Sequence, residues 1–161
     1  MNENYNYIMK NKFKNILITG GAGFIGCNVA KYFLKKYQVE INLYIYDNLS
    51  YSGIKSNIED ILTYSNVHFI YGDICDEHLL TNTLKQYHID CIIHCAAQTY
   101  VDYSYHDPNL FIQCNTIGTL SLLNSTLKCK DLIKKVIYVS TDEVYGNNEI
   151  NHIGFQEDVT I

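Results

Sequence analysis

The stretch ITGGAGFIG, residues 18–26, decides the fold. Gly20, Gly23 and Gly26 follow an apolar run, KNILITG (14–20), that reads as a buried strand. They precede a segment, 24–37, in which Ile25, Val29, Phe33 and Leu34 recur at helical spacing. Glycines at this G-x-x-G-x-x-G spacing let the chain turn tightly and bring its backbone close to a phosphate. The first N–H groups of the following helix have no intrahelical partner and can bind a pyrophosphate. A glycine repeat alone is weak evidence; between a strand and a helix it has the context that dinucleotide binding requires. Gly20, Gly23, Phe24, Ile25 and Gly26 are therefore candidate cofactor contacts.

Beyond the loop, strand and helix patterns alternate. Strands are expected at 41–46, 67–71, 90–95 and 134–140, and helices at 54–62 and 76–87. A long helix opens at Asp107-Pro108, with Phe111, Cys114, Ile117, Leu120 and Leu123 as its apolar positions. Continuous apolar strands separated by helices predict an α/β, doubly wound parallel sheet of Rossmann type. Asp47, at the end of the second strand with Asn48 beside it, can accept the ribose hydroxyls of an adenosine. It would repel a 2′-phosphate, which favours NAD over NADP. Asp73-Ile74 could reach an adenine edge, or simply start a turn. Ala96-Ala97 would let a cofactor pass close to the fourth strand, although small residues also pack well in any crowded turn. His94, inside apolar IIHCAA, reads as a packed histidine rather than a general base.

Composition narrows the setting. The 161 residues suffice for one domain with a sizeable core. Residues 1–12 read as a polar leader and 13–161 as the NAD-binding domain. A net charge of -5 argues against a generic nucleic-acid surface. No apolar run approaches the roughly 18 residues of a membrane span, and no signal-peptide pattern opens the chain. The six cysteines include no C-x2-C pair, so they read as structural thiols of a reduced, cytoplasmic protein without a metal site. The alternation stops after the fifth strand and a polar tail, 147–161. A six-stranded domain needs a further helix and strand, so either the fold is smaller or the chain is part of a longer one.

A second stretch, VSTDEVYG (139–146), places a hydroxyl and two adjacent carboxylates at a strand end. Crowded acids cost energy unless water, a partner or a proton relieves them. On a regular strand Thr141 and Glu143 would face one side and Asp142 the other. All three can serve one pocket only if the strand ends near 141 and the backbone turns.

TGGAGFIG (19–26), DNLSYSG (47–53), GDICD (72–76), HCAAQTYVDYS (94–104) and STDEVYG (140–146) together resemble the extended short-chain dehydrogenase/reductases. Within that family they most resemble the nucleotide-sugar 4,6-dehydratases acting on dTDP-glucose and UDP-glucose. The resemblance spans Lys14 to Gly146. It implies tightly held NAD that takes hydride from C4 of the glucosyl unit and returns it to C6. Glu143 would remove the C5 proton as general base. Asp142 would protonate the departing 6-hydroxyl, and Thr141 would hydrogen-bond the 4-oxygen. The resemblance also implies a homodimer for a full-length enzyme.

The family's oxidation step uses a Tyr-x-x-x-Lys pair further along the chain, and no such pair follows residue 146. Tyr32 and Lys36 have the spacing but lie on the first helix. Tyr103 stands where many bacterial relatives carry arginine. This chain alone is therefore expected to be inactive. Two other readings stay open: a UDP-sugar 4-epimerase or decarboxylase of the same superfamily, and a non-catalytic NAD-binding module.

Overall fold

Alternating side-chain directions along each strand sort the core into two layers, one on each face of a sheet. The structure, a computed structural model, describes residues 13–146. The expected leader 1–12 and tail 147–161 lie outside the described residues. Strands β1 (Asn15–Thr19), β2 (Asn42–Asp47), β3 (Val67–Tyr71), β4 (Cys91–His94) and β5 (Lys135–Tyr138) form one sheet in the order β3-β2-β1-β4-β5. Every adjacent pair is parallel. Ile16, Ile18, Leu43, Ile45, Cys91 and Ile93 face one layer, where helix α1 (Phe24–Tyr37) contributes Ala30 and Leu34. Leu17, Tyr44, Tyr46 and Ile92 face the other, against Leu80 and Leu84 of helix α2 (Glu77–Gln86). Each fully buried large apolar side chain is worth roughly 1.5–3 kcal/mol, so both faces contribute to holding the sheet.

The doubly wound parallel sheet is the expected fold, and its element bounds follow the sequence pattern closely. Two local expectations fail for physical reasons. The helix predicted over 54–62 is instead two 3-10 turns, Lys55–Asn57 and Ile61–Thr63. The Ala22 carbonyl accepts hydrogen bonds from Ile54 N–H and Asn57 Nδ2. Ile58 and Ile61 are meanwhile drawn into the core. These tertiary anchors fix the segment to the glycine loop and override its helical pattern.

The second correction concerns the long helix, α3. It runs through Pro108–Phe111, a π-helical stretch Ile112–Gly118, and Thr119–Lys128. Asp107 caps it, accepting from Leu110 N–H at 3.1 Å. Its expected apolar stripe holds only at the start, where Phe111 is half-buried and Cys114 packs against the core; Ile117, Leu120 and Leu123 are exposed. The buried face is Gly118, Ser121, Leu122 and Ser125. Small residues there let α3 approach α2. Thr81 Oγ1 donates to Ser125 Oγ at 3.1 Å, and Ser125 Oγ donates to the Glu77 carbonyl at 3.2 Å. The wider π turn also shifts the phase of everything after it, so counting at 3.6 residues per turn picks the wrong face. Likewise β5, expected to be buried, is an exposed strand, with Ile137 and Tyr138 open among the described residues.

Candidate functional site

Strand order reverses between β1 and β4: the chain steps outward through β2 and β3, then returns to the other side of β1. The helices that follow β1 and β4 therefore pack on opposite faces of the sheet, and a crevice opens at the strands' carboxyl ends. A cleft of about 410 Å³ lies there. It is lined by every cofactor contact expected from the sequence: Gly20, Gly23, Phe24, Ile25, Gly26, Asp47, Asn48, Asp73, Ile74, Ala96 and Ala97.

The glycine loop is shaped by close approach. Gly20 has φ 64°, and a Cβ there would lie 2.6 Å from the Ala96 Cα. A Cβ on Gly26 would strike the Gly20 carbonyl. Only glycine meets both demands, the left-handed backbone and the contact between the β1 and β4 loops. Helix α1 starts at Gly23 without a side-chain cap. The N–H groups of its first turn are thus available at the cleft wall.

Asp47 is 7% exposed. Its Oδ2 accepts from Ala22 N–H at 3.0 Å and its Oδ1 from Leu49 N–H at 2.8 Å. One carboxylate thus ties the glycine loop to the end of β2, with lone pairs left for a ligand. Asn48 bridges the next two loops, donating from Nδ2 to Asp73 Oδ2 at 2.9 Å. Partial burial pushes the Asp73 carboxyl up, but hydrogen bonds from Cys75 N–H and Asn48 outweigh it and hold the group below its usual range. Two carboxylates therefore line the β2–β3 flank of the cleft. No lysine, arginine or histidine is among the lining residues. The polar donors of the cleft are backbone N–H groups and neutral side chains such as Ser50, Ser52 and Thr99.

The opposite wall holds residues that sequence reasoning missed. Cys95, Gln98, Gln113 and Cys114 line it, while Cys75 and Tyr51 border the cleft from the loops after β3 and β2. Half the cysteines thus border the cleft while also packing against the core layers. Burial pushes the Cys75 and Cys95 thiols up to about 11, and that of Cys114 in the same direction. All three stay protonated near neutrality and are poor nucleophiles. No group of three or more metal-ligating side chains occurs among the described residues. No helix among them is long and apolar enough to cross a membrane.

His94 is packed, as its apolar context predicts. It shares hydrogen bonds with Thr19 Oγ1 at 2.6 Å and Thr119 Oγ1 at 3.1 Å, and its ring stacks on Tyr138. Burial pushes its pKa down to about 4. Tyr32 and Lys36 meet on the exposed side of α1, where Lys36 Nζ donates to the phenol at 3.2 Å, outside the cleft.

The acid segment lies apart from the cleft lining. Strand β5 ends at Tyr138 and a 3-10 turn runs over Asp142–Tyr145, so the backbone does turn at the acids. Thr141 caps that turn, accepting from Glu143 N–H at 3.2 Å and donating to Asp142 Oδ1 at 3.4 Å. Thr141, Asp142 and Glu143 are all exposed.

The sheet and its crevice define a Rossmann-type domain with the geometry of a dinucleotide site. By sequence profile, the chain belongs to the GDP-mannose 4,6 dehydratase family, matched over residues 17–161. It is homologous to the nucleoside-diphosphate-glucose 4,6-dehydratases of the extended short-chain dehydrogenase/reductases. It is 43% identical over 138 residues to a dTDP-D-glucose 4,6-dehydratase of Dictyostelium discoideum, covering 85% of this chain and 31% of that protein. A crystal structure of dTDP-glucose 4,6-dehydratase from Bacillus anthracis, in complex with NAD, superposes with a TM-score of 0.78 at 36% identity, covering 92% of this chain and 43% of that one. A UDP-glucose 4-epimerase from Brucella ovis, also with NAD, gives 0.71 at 34% identity, covering 83% and 38%. The chain thus spans 31% to 43% of the length of these relatives.

Proposed function

We propose that this chain carries the NAD-binding domain and part of the acid–base set of a nucleotide-sugar 4,6-dehydratase. The observation that carries the reading is the cleft at the β1/β4 reversal, with its glycine loop on one side and Asp47 and Asp73 on the other. The first turn of α1 would hold the pyrophosphate, and Asp47 the adenosine ribose. Bound NAD would supply a hydride acceptor and donor for the sugar carbons. Free cysteines among the described residues suit a reducing, cytoplasmic setting.

The dehydration itself needs one proton removed beside a ketone and one delivered to a leaving hydroxyl. Glu143 and Asp142 are assigned these roles, with Thr141 at the sugar's 4-oxygen. What supports the assignment is their position on a turn beyond the carboxyl end of β5, at the same edge of the sheet as the cleft. An elimination catalyst needs two carboxyls held in different environments. In an assembled enzyme the sugar nucleotide and the surfaces that bind it would provide that difference. A homodimer is part of the same proposal.

Isothermal titration tests the cofactor half. NAD should bind the chain saturably, with NADP at least about tenfold weaker; equal affinities would remove Asp47 from its role. Product analysis tests the chemistry, in a protein joining this domain to a Tyr-x-x-x-Lys pair. Conversion of dTDP- or UDP-glucose to a 4-keto-6-deoxy product is expected. The similarity to the epimerase from Brucella ovis favours a second reading, and formation of UDP-galactose would select it. Binding of NAD with no product of either kind would leave a binding module.

A further inference from the structure

Two tyrosines meet across the mouth of the cleft. Tyr51 lies on the loop after β2 and Tyr100 on the loop after β4. Their rings are parallel to within 4°, with centroids 6.2 Å apart. Neither ring serves the core: Tyr51 is 62% exposed and Tyr100 50%. In the sheet, β1 stands between β2 and β4. A contact between the β2 and β4 loops therefore crosses over the glycine loop that leaves β1. Tyr51 lines the cleft, as does Thr99 beside Tyr100. The pair thus forms a bridge on the solvent side of the cleft.

The backbone holds both ends of this bridge in place. Tyr51 has φ 42° and Leu49 φ 56°, a left-handed conformation that is uncommon away from glycine. Such strain persists where the surroundings enforce it, and it gathers at ligand clamps. Leu49 N–H donates to Asp47 Oδ1 at 2.8 Å, and Ser50 N–H to Asn48 Oδ1 at 3.1 Å. Beyond Tyr51, Gly53 N–H donates to the Ser50 carbonyl at 2.8 Å, and Ile54 N–H to the Ala22 carbonyl of the glycine loop at 3.2 Å. Tyr51 lies between these anchors. Tyr100 opens the helical turn Val101–Ser104, and its carbonyl accepts from Tyr103 N–H at 3.0 Å.

A pyrophosphate on the glycine loop, with its adenosine ribose at Asp47, would lie beneath the bridge. We propose that Tyr51 and Tyr100 form an aromatic gate over the cleft: the rings part to admit a dinucleotide and close over it again. The proposal rests on the dinucleotide reading of the cleft. An exposed aromatic pair is a weak latch, shifting an opening equilibrium by about two- to tenfold. The rings contact each other, so the gate slows entry and release alike. A ring that merely touched the ligand would slow release and tighten binding together.

The test compares the 161-residue chain with Tyr51→Ala, Tyr100→Ala, the double alanine variant, Tyr51→Phe and Tyr100→Phe. Stopped-flow fluorescence follows the binding of NADH and its displacement by NAD. In each alanine variant, association and release should both be about two- to tenfold faster, with the dissociation constant within about twofold of wild type. The double variant should be no faster than the faster single variant. The phenylalanine variants keep their rings and should match wild type. Unchanged rates in the alanine variants would overturn the proposal, and so would a rise in release alone. Effects that multiply in the double variant would mean that the rings act separately, which also overturns it. Phenylalanine variants as fast as the alanine ones would assign the effect to the hydroxyls and sink the stacking. If the wild-type chain binds no NADH, the dinucleotide reading falls. Nuclear Overhauser contacts between the two rings then decide the bridge: their absence overturns it, and their presence supports a cleft closed by the pair.

Discussion

The glycine loop and the Ser140–Glu143 segment stand at the same edge of one parallel sheet, and both follow a buried-looking strand in the sequence. They are built differently. Around the glycine loop each demand is met by a neighbour: Ala96 presses on Gly20, Asp47 holds Ala22, and Asn48 ties Asp73. Around the acids, Thr141 bonds Asp142 and Glu143 within the turn itself, and all three side chains are exposed. A cofactor cleft formed by loops of adjacent strands can be complete within one domain. Acid and base that must act on a sugar take their working environment from what packs over them.

The sharpest way to break the comparison is at Gly20. Gly20→Val forces a β-branched residue to φ 64° and drives its side chain into the Ala96 backbone. Strain and overpacking together should cost about 3–5 kcal/mol. Chemical denaturation should show that loss, and NAD titration should show no saturable binding. A valine tolerated there would mean that the β1 and β4 loops are not in contact.

Acid sharpens it next. The His94 pKa is lowered to about 4 from 6.5 because the imidazole is buried, so the native state resists protonation that the unfolded chain accepts. Stability should be intact above pH 6.5, fall as the pH drops from 6.5 towards 4, and level off below. The full loss is about 3 kcal/mol from this group. Denaturation midpoints across that window should follow the fall, and His94→Asn should flatten it. A wild-type curve with no slope there would place His94 in contact with water. Because Thr19 and Thr119 hold the two ring nitrogens, acid would loosen the seam between β1, β4 and α3 directly beneath the cleft.

Asp47→Asn is a smaller perturbation. An amide oxygen can keep one of the two backbone donors, Ala22 or Leu49, but its NH₂ group cannot accept the other. Stability should drop by about 1–2 kcal/mol, as for one buried donor left unpaired. With the negative charge gone, the preference for NAD over NADP should narrow in parallel titrations.

The parts of the molecule legible in sequence are those whose physics is local. Gly20 to Gly26, Asp47 and Asp73 announce themselves because strand ends, glycine spacing and carboxylate position follow the chain. Asn115 and Gln98 do not, since their pairing crosses 17 residues and depends on a π turn with no sequence signature at 3.6-residue spacing. The same turn hid the true buried face of α3, where Ser121 and Ser125 sit inward and Leu120 and Leu123 outward. Cys114 read only as an apolar position of the long helix, and its place on the cleft wall depends on how that helix packs over the β4 loop.

Glu143→Gln should have the smallest effect on this chain, and that is what makes it informative. Glu143 is exposed, and its backbone N–H donates to Thr141 Oγ1. Removing the charge should change stability by less than about 0.5 kcal/mol and leave NAD affinity unaltered. In an assembled, active enzyme the same substitution should cost at least about a hundredfold in the elimination step, the usual range for a general base. Hydride transfer from the sugar would be spared, so a reduced cofactor should accumulate in single-turnover absorbance traces. A residue silent in the isolated domain and decisive in the assembly belongs to chemistry that the domain positions but does not enclose. A large stability loss on Glu143→Gln would instead make the acid turn a structural element of the sheet edge, built on the same terms as the glycine loop.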